Sequence, residues 1–375
     1  MRPSFRRTYA EINLDALEHN VRTLYNYHQK TLIAVIKANA YGHGDIMIAR
    51  HLEKLGTQMC AVATLDEAVN LRENGIHMDI LCMGYVEAMD VPFAIEHNII
   101  LTLTSLDWVN SLRAYPVKNA RVHLKIDTGM NRLGIKENDQ VFEALEIADL
   151  LELNVEGIYT HFASSDDPTS PQTAKQYIAF NTLLESLHRE FKWVHSANSG
   201  AVVNFPTPNC NAVRIGLSIY GYSDYAVDLK PVMRLYASLL EIKSVQKGES
   251  VGYGANYIAQ KDELIGTISI GYADGIHRKI QGSHCSINNV DCEYVGRICM
   301  DLSMIRLDKQ YPIGTIVEII GDHISAKYIA KKMGTIVYEL LPQLNGRIPR
   351  VYVLDNKEIA YINSRYPSPI PVYIK

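Results

Sequence analysis

The sequence has no apolar run near the roughly 20 residues that carry a helix across a bilayer. It lacks any Cys-x-x-Cys pair. Its six cysteines, Cys60, Cys82, Cys210, Cys285, Cys292 and Cys299, have no histidines at zinc spacing beside them. That excludes a zinc ribbon and a dithiol redox motif, and leaves free thiols in a reducing compartment as the expectation. Charge of one sign is also missing: 37 Lys and Arg stand against 41 Asp and Glu, for a net charge of −4, and no basic stretch suits a phosphate backbone or an anionic membrane. Neither nucleic acid nor a membrane is therefore expected as a partner. The basic first residues are not followed by the apolar stretch of a secretory signal, so a cytoplasmic protein is expected.

What is present is enough for a large core. A chain of 375 residues, 47% of them hydrophobic, suits about two domains. Its first two thirds alternate short apolar runs with helical patterns. Thr31–Ile36, Cys60–Ala63, Asp79–Cys82, Ile99–Leu103, Arg121–Ile126, Val155–Tyr159, Trp193–His195 and Ala212–Ile215 read as buried strands. Between them the spacing predicts helices, the clearest over Thr173–Phe191 and another from Asp66, with Asp66 as its cap. About eight strand–helix units point to an α/β fold, a (β/α)8 TIM-like barrel; a doubly wound open sheet gives the same periodicity. From about residue 232 the texture changes to Val-, Ile-, Thr- and Tyr-rich runs with Gly-containing turns and one helix near Ser325–Lys332. The expected division is a barrel over residues 1–230 and a mostly-β C-terminal domain over 231–375, with the first ten or so residues packing on the latter.

Lys37 ends the first apolar strand and opens Ala38-Asn39-Ala40-Tyr41-Gly42-His43-Gly44. A barrel builds its chemistry at the C-terminal ends of its strands, and a lysine buried there is a weaker base and a better amine nucleophile. Position alone fits a surface lysine as well. The string Val35-Ile36-Lys37-Ala38-Asn39-Ala40-Tyr41-Gly42-His43-Gly44, however, resembles the cofactor-lysine signature of the alanine racemases, and further blocks follow in that family's order. The resemblance implies pyridoxal 5′-phosphate (PLP) bound through Lys37, and a homodimer with shared active sites.

The resemblance also implies roles for the other blocks. In His123-Leu124-Lys125-Ile126-Asp127-Thr128-Gly129-Met130-Asn131-Arg132, Arg132 contacts the cofactor's phenolic oxygen and the substrate carboxylate. Lys125 is carried as a carbamate or else makes an ordinary salt bridge. Asn131 stands where many relatives have Gly. His161, in Tyr159-Thr160-His161-Phe162, buttresses an arginine, although a strand-end histidine is more often a core residue. Asp166 lines the entryway. Asn198, Ser199, Gly216 and Leu217 follow the last two barrel strands, where a phosphate commonly sits, and Tyr41 completes that cradle. Arg214 faces the pyridine nitrogen. Because arginine stays protonated, the ring nitrogen accepts a hydrogen bond and remains neutral, which makes a poorer electron sink and favours proton return over side reactions.

In the β domain, Val251-Gly252-Tyr253-Gly254 resembles the block that carries the second base, Tyr253. Met300 and Asp301 contact substrate, with Arg132 and Tyr253. Tyr272, Arg278, Arg297, Ile336 and Arg350 match entryway positions, and Tyr338 matches a phosphate-contacting tyrosine that favours alanine over serine. Val337 stands where many relatives have Asn. The activity so implied is interconversion of L- and D-alanine, supplying D-alanine for peptidoglycan. A serine or broad-specificity racemase, a PLP amino-acid decarboxylase and a non-catalytic PLP-binding protein are the alternatives.

Overall fold

A computed structural model describes residues 6–365 and the backbone of residues 372–373. The chain forms two compact units. One comprises Glu18–Ala40 and Asp45–Lys230; the other comprises the residues up to Leu17, Tyr41–Gly44 and those from Pro231 onward. Residues 1–5, part of the segment expected to pack with the β domain, lie outside the described residues.

The first unit is built on eight strands: Thr31–Val35, Met59–Val62, Asp79–Cys82, Leu101–Leu103, Arg121–Lys125, Asn154–Tyr159, Trp193–His195 and Ala212–Ile215. All pair in parallel. The last strand pairs with the first, so the order is circular, and a single bridge, Leu81↔Ile100, joins the two remaining edges. The sheet is thus a nearly closed barrel with helices between its strands, not an open doubly wound sheet. Its strands read as unbroken apolar runs because both faces are covered; Met59, Cys60, Ala61 and Val62 are all fully buried.

Two local expectations need correction. The helix after Met59–Val62 is capped by Thr64, not Asp66. Thr64 takes extended backbone angles, its hydroxyl accepts the Glu67 N–H, and the Glu67 side chain accepts the Thr64 N–H in a reciprocal capping box. The helix expected over Thr173–Phe191 spans Gln172–Ser186; His188, at φ 44°, turns the chain away before Phe191.

The second unit centres on the long strand Met233–Val245 in a ten-stranded sheet. That strand pairs antiparallel with Tyr9–Asn13, Glu263–Ile268 and Ile316–Ile320. A bulge between Leu239 and Glu241 lets it bend within its pairing with Glu263–Ile268. Tyr9–Asn13 also pairs in parallel with Arg350–Leu354. The expected helix is present at Ala326–Met333, and a second, Val337–Gln343, follows it.

Gly157 shows how tightly the barrel interior is filled. A Cβ there would lie 2.6 Å from the His123 ring on the neighbouring strand. Gly157→Ala is expected to destabilise the fold by roughly 1–3 kcal/mol, the usual cost of overpacking. A thermal midpoint equal to that of the unmodified chain would show that the interior yields at no cost.

Candidate active site

In the barrel unit, Arg214 on the last strand is 3% exposed. One terminal nitrogen donates to His195 Nδ1 at 2.7 Å and to the His195 carbonyl at 3.0 Å. The other donates to the Thr160 carbonyl at 2.7 Å, the Ser196 carbonyl at 3.1 Å and His161 Nδ1 at 3.2 Å. The fifth donor, Nε–H, has no partner among the described residues.

Because the guanidinium only donates, it fixes the tautomers around it. His195 accepts at Nδ1, so its proton sits on Nε2, which donates to His123 Nδ1 at 2.9 Å. His123 then carries its own proton on Nε2, which has no bonded partner and points toward Glu156 Oε1 at 3.9 Å. His161 likewise accepts at Nδ1. Burial, then the positive charge of Arg214, holds His161 down to about 2. Burial, then Arg121, takes His123 down to about 3, and burial and Arg214 depress His195 strongly. All three rings are neutral acceptors or relays. Tyr159 stacks on His195 with centroids 4.7 Å apart, and the guanidinium lies 5.0 Å over its ring.

Lys125 lies on the same wall. Its Nζ donates to the Ile126 carbonyl at 2.9 Å and sits 5.2 Å over the Tyr159 ring. Burial and Arg214 bring its amine down to about 7. Arg132 is exposed and lies close enough to add positive charge to Lys37, Lys125 and His161. Burial first, then Arg132, lowers Lys37, while Glu67 opposes them, so more of the amine is neutral than in an exposed lysine. The Asn131 departure has a structural reason. Its φ is 55°, a left-handed conformation that Gly takes freely and Asn tolerates better than most residues.

Beyond the last two strands, Asn198 caps the helix Ser199–Asn204 by accepting the Ala201 N–H. The Gly216 N–H donates to Ser199 Oγ at 3.2 Å, which brings the start of that helix against the turn Leu217–Tyr220. The N–H groups of Ser199 and Leu217 have no acceptor among the described residues, as expected of helix starts. Asp166 is exposed.

In the β unit, Tyr253 is 70% exposed on a short turn between Gly252 and Gly254, both at positive φ. The Arg297 guanidinium lies against Gly254. Met300, Ile336, Tyr338 and Tyr272 are exposed apolar side chains, and Arg278 is exposed too. The Met300 N–H has no acceptor among the described residues, while its carbonyl accepts the Ala273 N–H. Asp301 accepts from Arg347 at 2.6 Å. Buried Tyr41 packs beside Tyr338 with ring centroids 6.2 Å apart. Arg350 does not fit an opening: it is 5% exposed, and its donors go to the carbonyls of Gly42, Leu344, Asn345 and Ile348. It clamps the Gly42 backbone and has no donor left for an incoming molecule.

Comparison with known proteins gives this geometry its context. The family model for the alanine racemase N-terminal domain matches residues 12–224, and that for the C-terminal domain matches residues 232–352. The chain belongs to the alanine racemase family. It is 38% identical to the alanine racemase of Staphylococcus epidermidis over 94% of this chain and 97% of the relative. It is also 38% identical to alanine racemase 1 of Bacillus subtilis over 97% of each. Among solved structures, alanine racemase from Bacillus anthracis with bound L-Ala-P superposes with a TM-score of 0.91 at 35% identity, covering 96% of this chain and 98% of that one. An alanine racemase from Clostridium difficile gives a TM-score of 0.91 at 34% identity, covering 95% and 98%.

Sequence reasoning singled out Lys37, Lys125, His161 and Arg214 but passed over His123, His195 and Tyr159, which share the Arg214 network. The signal was a histidine on or just beyond each of three neighbouring barrel strands, Arg121–Lys125, Asn154–Tyr159 and Trp193–His195. Acidification should expose the cost of keeping these rings neutral. Below the ordinary value of 6.5 the unfolded chain binds protons that the folded one refuses, so stability falls as pH drops from there toward about 3. Each such histidine contributes about 1.4 kcal/mol per pH unit in that window. Replacing His123 with Gln should flatten the dependence between those limits; denaturant midpoints with an unchanged pH slope would refute it.

Proposed function

We propose that this chain is a PLP-dependent alanine racemase that interconverts L- and D-alanine, with Lys37 and Tyr253 as its two proton carriers. The observation that carries this reading beyond kinship is the Nε–H of buried Arg214, which has no partner among the described residues: a fixed cation presenting one donor suits an unprotonated pyridine nitrogen. The remaining donors fit the group too. Ser199, Gly216, Leu217 and Asn198, with Tyr41 and Tyr338, are assigned to its phosphate, and Arg132 to its phenolic oxygen. PLP supplies the electron sink that makes the alpha C–H of an amino acid acidic.

The chain's own residues then decide what happens to that proton. Inversion needs a proton carrier on each face of the carbon. Lys37 Nζ, made less basic by burial, takes or gives the proton of the D isomer, and Tyr253 Oη that of the L isomer. Arg132 and the Met300 N–H hold the substrate carboxylate, and Asp301 contacts the substrate side of the site. Asp166, Tyr272, Arg278, Arg297 and Ile336 line the approach. Tyr338 favours alanine over serine. The proposed assembly is a homodimer in which each active site takes Tyr253, Met300 and Asp301 from the partner protomer, working in the cytoplasm to provide D-alanine for peptidoglycan.

One assay tests bases and assembly together. Lys37→Ala should abolish racemisation. Tyr253→Phe should slow exchange of the L-alanine alpha proton by about 100-fold or more, the usual worth of a positioned base. Mixing the two inactive variants should restore part of the activity, because a mixed dimer keeps one intact site. Wild-type exchange by Tyr253→Phe would sink the two-base assignment, and mixtures that stay inactive despite subunit exchange would sink the shared site.

Lys125 is proposed to be a carbamate. With its pKa near 7, its neutral amine is available to carbon dioxide: the N–C bond forms, the amine proton leaves, and an anion results beside Arg132. Carbon-13 NMR in labelled bicarbonate should show a carbamate signal that vanishes in Lys125→Ala. A spectrum without that signal in the unmodified chain leaves an ordinary buried lysine.

A further inference from the structure

Lys37 is followed by a stretch of backbone that ought not to be stable. Ala38, Asn39, Ala40 and Tyr41 have φ of 53°, 54°, 52° and 52°, a full left-handed turn without one glycine. Such residues cost roughly 1–2 kcal/mol each, and strain of this kind persists only where the surroundings over-determine it. Within the barrel unit, three contacts restrain the turn. The Ala40 N–H donates to the Ile36 carbonyl at 2.9 Å, and the Asn39 side chain accepts the Asp45 N–H at 3.0 Å. The third is the N–H of Ala38, the first after Lys37, which donates to Glu67 Oε1 at 2.6 Å.

Glu67 already has a local task. Its Oε2 accepts the N–H of Ala63 at 2.8 Å and that of Thr64 at 3.3 Å, which closes the cap of the helix Leu65–Glu73. A glutamate that served only as a cap would need one oxygen. Here the second reaches 29 residues back along the chain. The route is short because the strands Thr31–Val35 and Met59–Val62 are parallel neighbours, paired Val35↔Ala61, so their C-terminal ends lie side by side.

We infer that Glu67 is a positioning residue for Lys37: one carboxylate oxygen closes a helix cap while the other grips the first N–H of the left-handed turn, so the lysine's backbone is held from the adjacent strand end. This rests on the reading of Lys37 as the cofactor amine. No near relative of the side chain does the same work. Glutamine has one acceptor oxygen, and its NH2 would face the N–H groups of Ala38 or of Ala63 and Thr64. Aspartate is a methylene too short to span both. The carboxylate also adds negative charge near Lys37, opposing the burial and the Arg132 charge that weaken its basicity.

The test uses the cofactor-free full chain, with added PLP as the probe. Two quantities are measured for the unmodified protein, Glu67→Gln and Thr64→Ala: amide exchange at Ala38, and the pH midpoint of imine formation at Lys37, followed by absorbance and located by reduction and peptide mass. Glu67→Gln should speed Ala38 exchange by about tenfold or more, the loss of a hydrogen bond to a charged acceptor. It should also move the midpoint to lower pH. Thr64→Ala, which weakens the cap but leaves the bridge, should change neither. Should Glu67→Gln fold poorly, Glu67→Asp gives the same comparison. The inference is overturned if Glu67→Gln leaves both quantities at the unmodified values, or if Thr64→Ala reproduces both changes. Equal imine formation by Lys37→Ala, located at a different lysine, would instead refute the assignment of Lys37, a separate result.

Discussion

The barrel's functional end is organised by one buried cation. Arg214 cannot shed its proton at any working pH, so each group around it must accept. That single constraint sets the tautomers of His195, His123 and His161, recruits three backbone carbonyls and holds Tyr159 flat against His195. A buried charge without compensation would cost several kcal/mol, and here the compensation comes from neutral dipoles, with no carboxylate on the guanidinium. A carboxylate partner would neutralise the charge. Neutral acceptors leave it in force, and it then acts on Lys125 and His161, lowering both.

The same field explains why a lysine and three histidines share this wall without competing for protons. Burial alone pushes each toward its neutral form, and Arg214 pushes in the same direction. The three rings on the wall are therefore polar but uncharged beside the guanidinium. Arg132 extends the positive potential to Lys37, where Glu67 opposes it. Proton affinity thus falls at Lys37, Lys125 and the three histidines, while burial raises that of Tyr159.

Much of this was legible in the sequence, for physical reasons. Strands covered on both faces must be unbroken apolar runs, which is why Asp79–Cys82, Trp193–His195 and Ala212–Ile215 were read with their observed ends. The strand Tyr9–Asn13 escaped notice because it alternates over five residues and precedes a helix, with nothing local to tie it to partners more than 200 residues away. The closing hairpin of Arg350–Leu354 and Lys357–Ile362 did carry a signal: Asp355-Asn356, a two-residue loop with φ of 52° and 57°. Arg350 was read as an entryway residue by resemblance, and a matched position does not reveal that five carbonyl contacts consume its donors. The cap at Thr64 was missed by weighing Asp66 alone, when the reciprocal spacing of Thr64 and Glu67 is the stronger pattern.

Local preference and global fold agree along most of the chain and part company after Lys37. Ala-Asn-Ala-Tyr has every reason to continue as an ordinary right-handed turn, and Asn39 alone has some tolerance for the left-handed one. A glycine at any of these positions would relieve the strain, yet it would also give the unfolded and partly ordered chain more freedom and loosen the backbone that carries the amine. Holding non-glycine residues there through fixed contacts from Glu67, Asn39 and Ile36 exchanges several kcal/mol of intrinsic preference for a narrower set of Lys37 positions. That exchange is favourable only where small displacements of one nitrogen matter, and an amine proposed both to bind a cofactor and to move a proton at a single carbon is such a place.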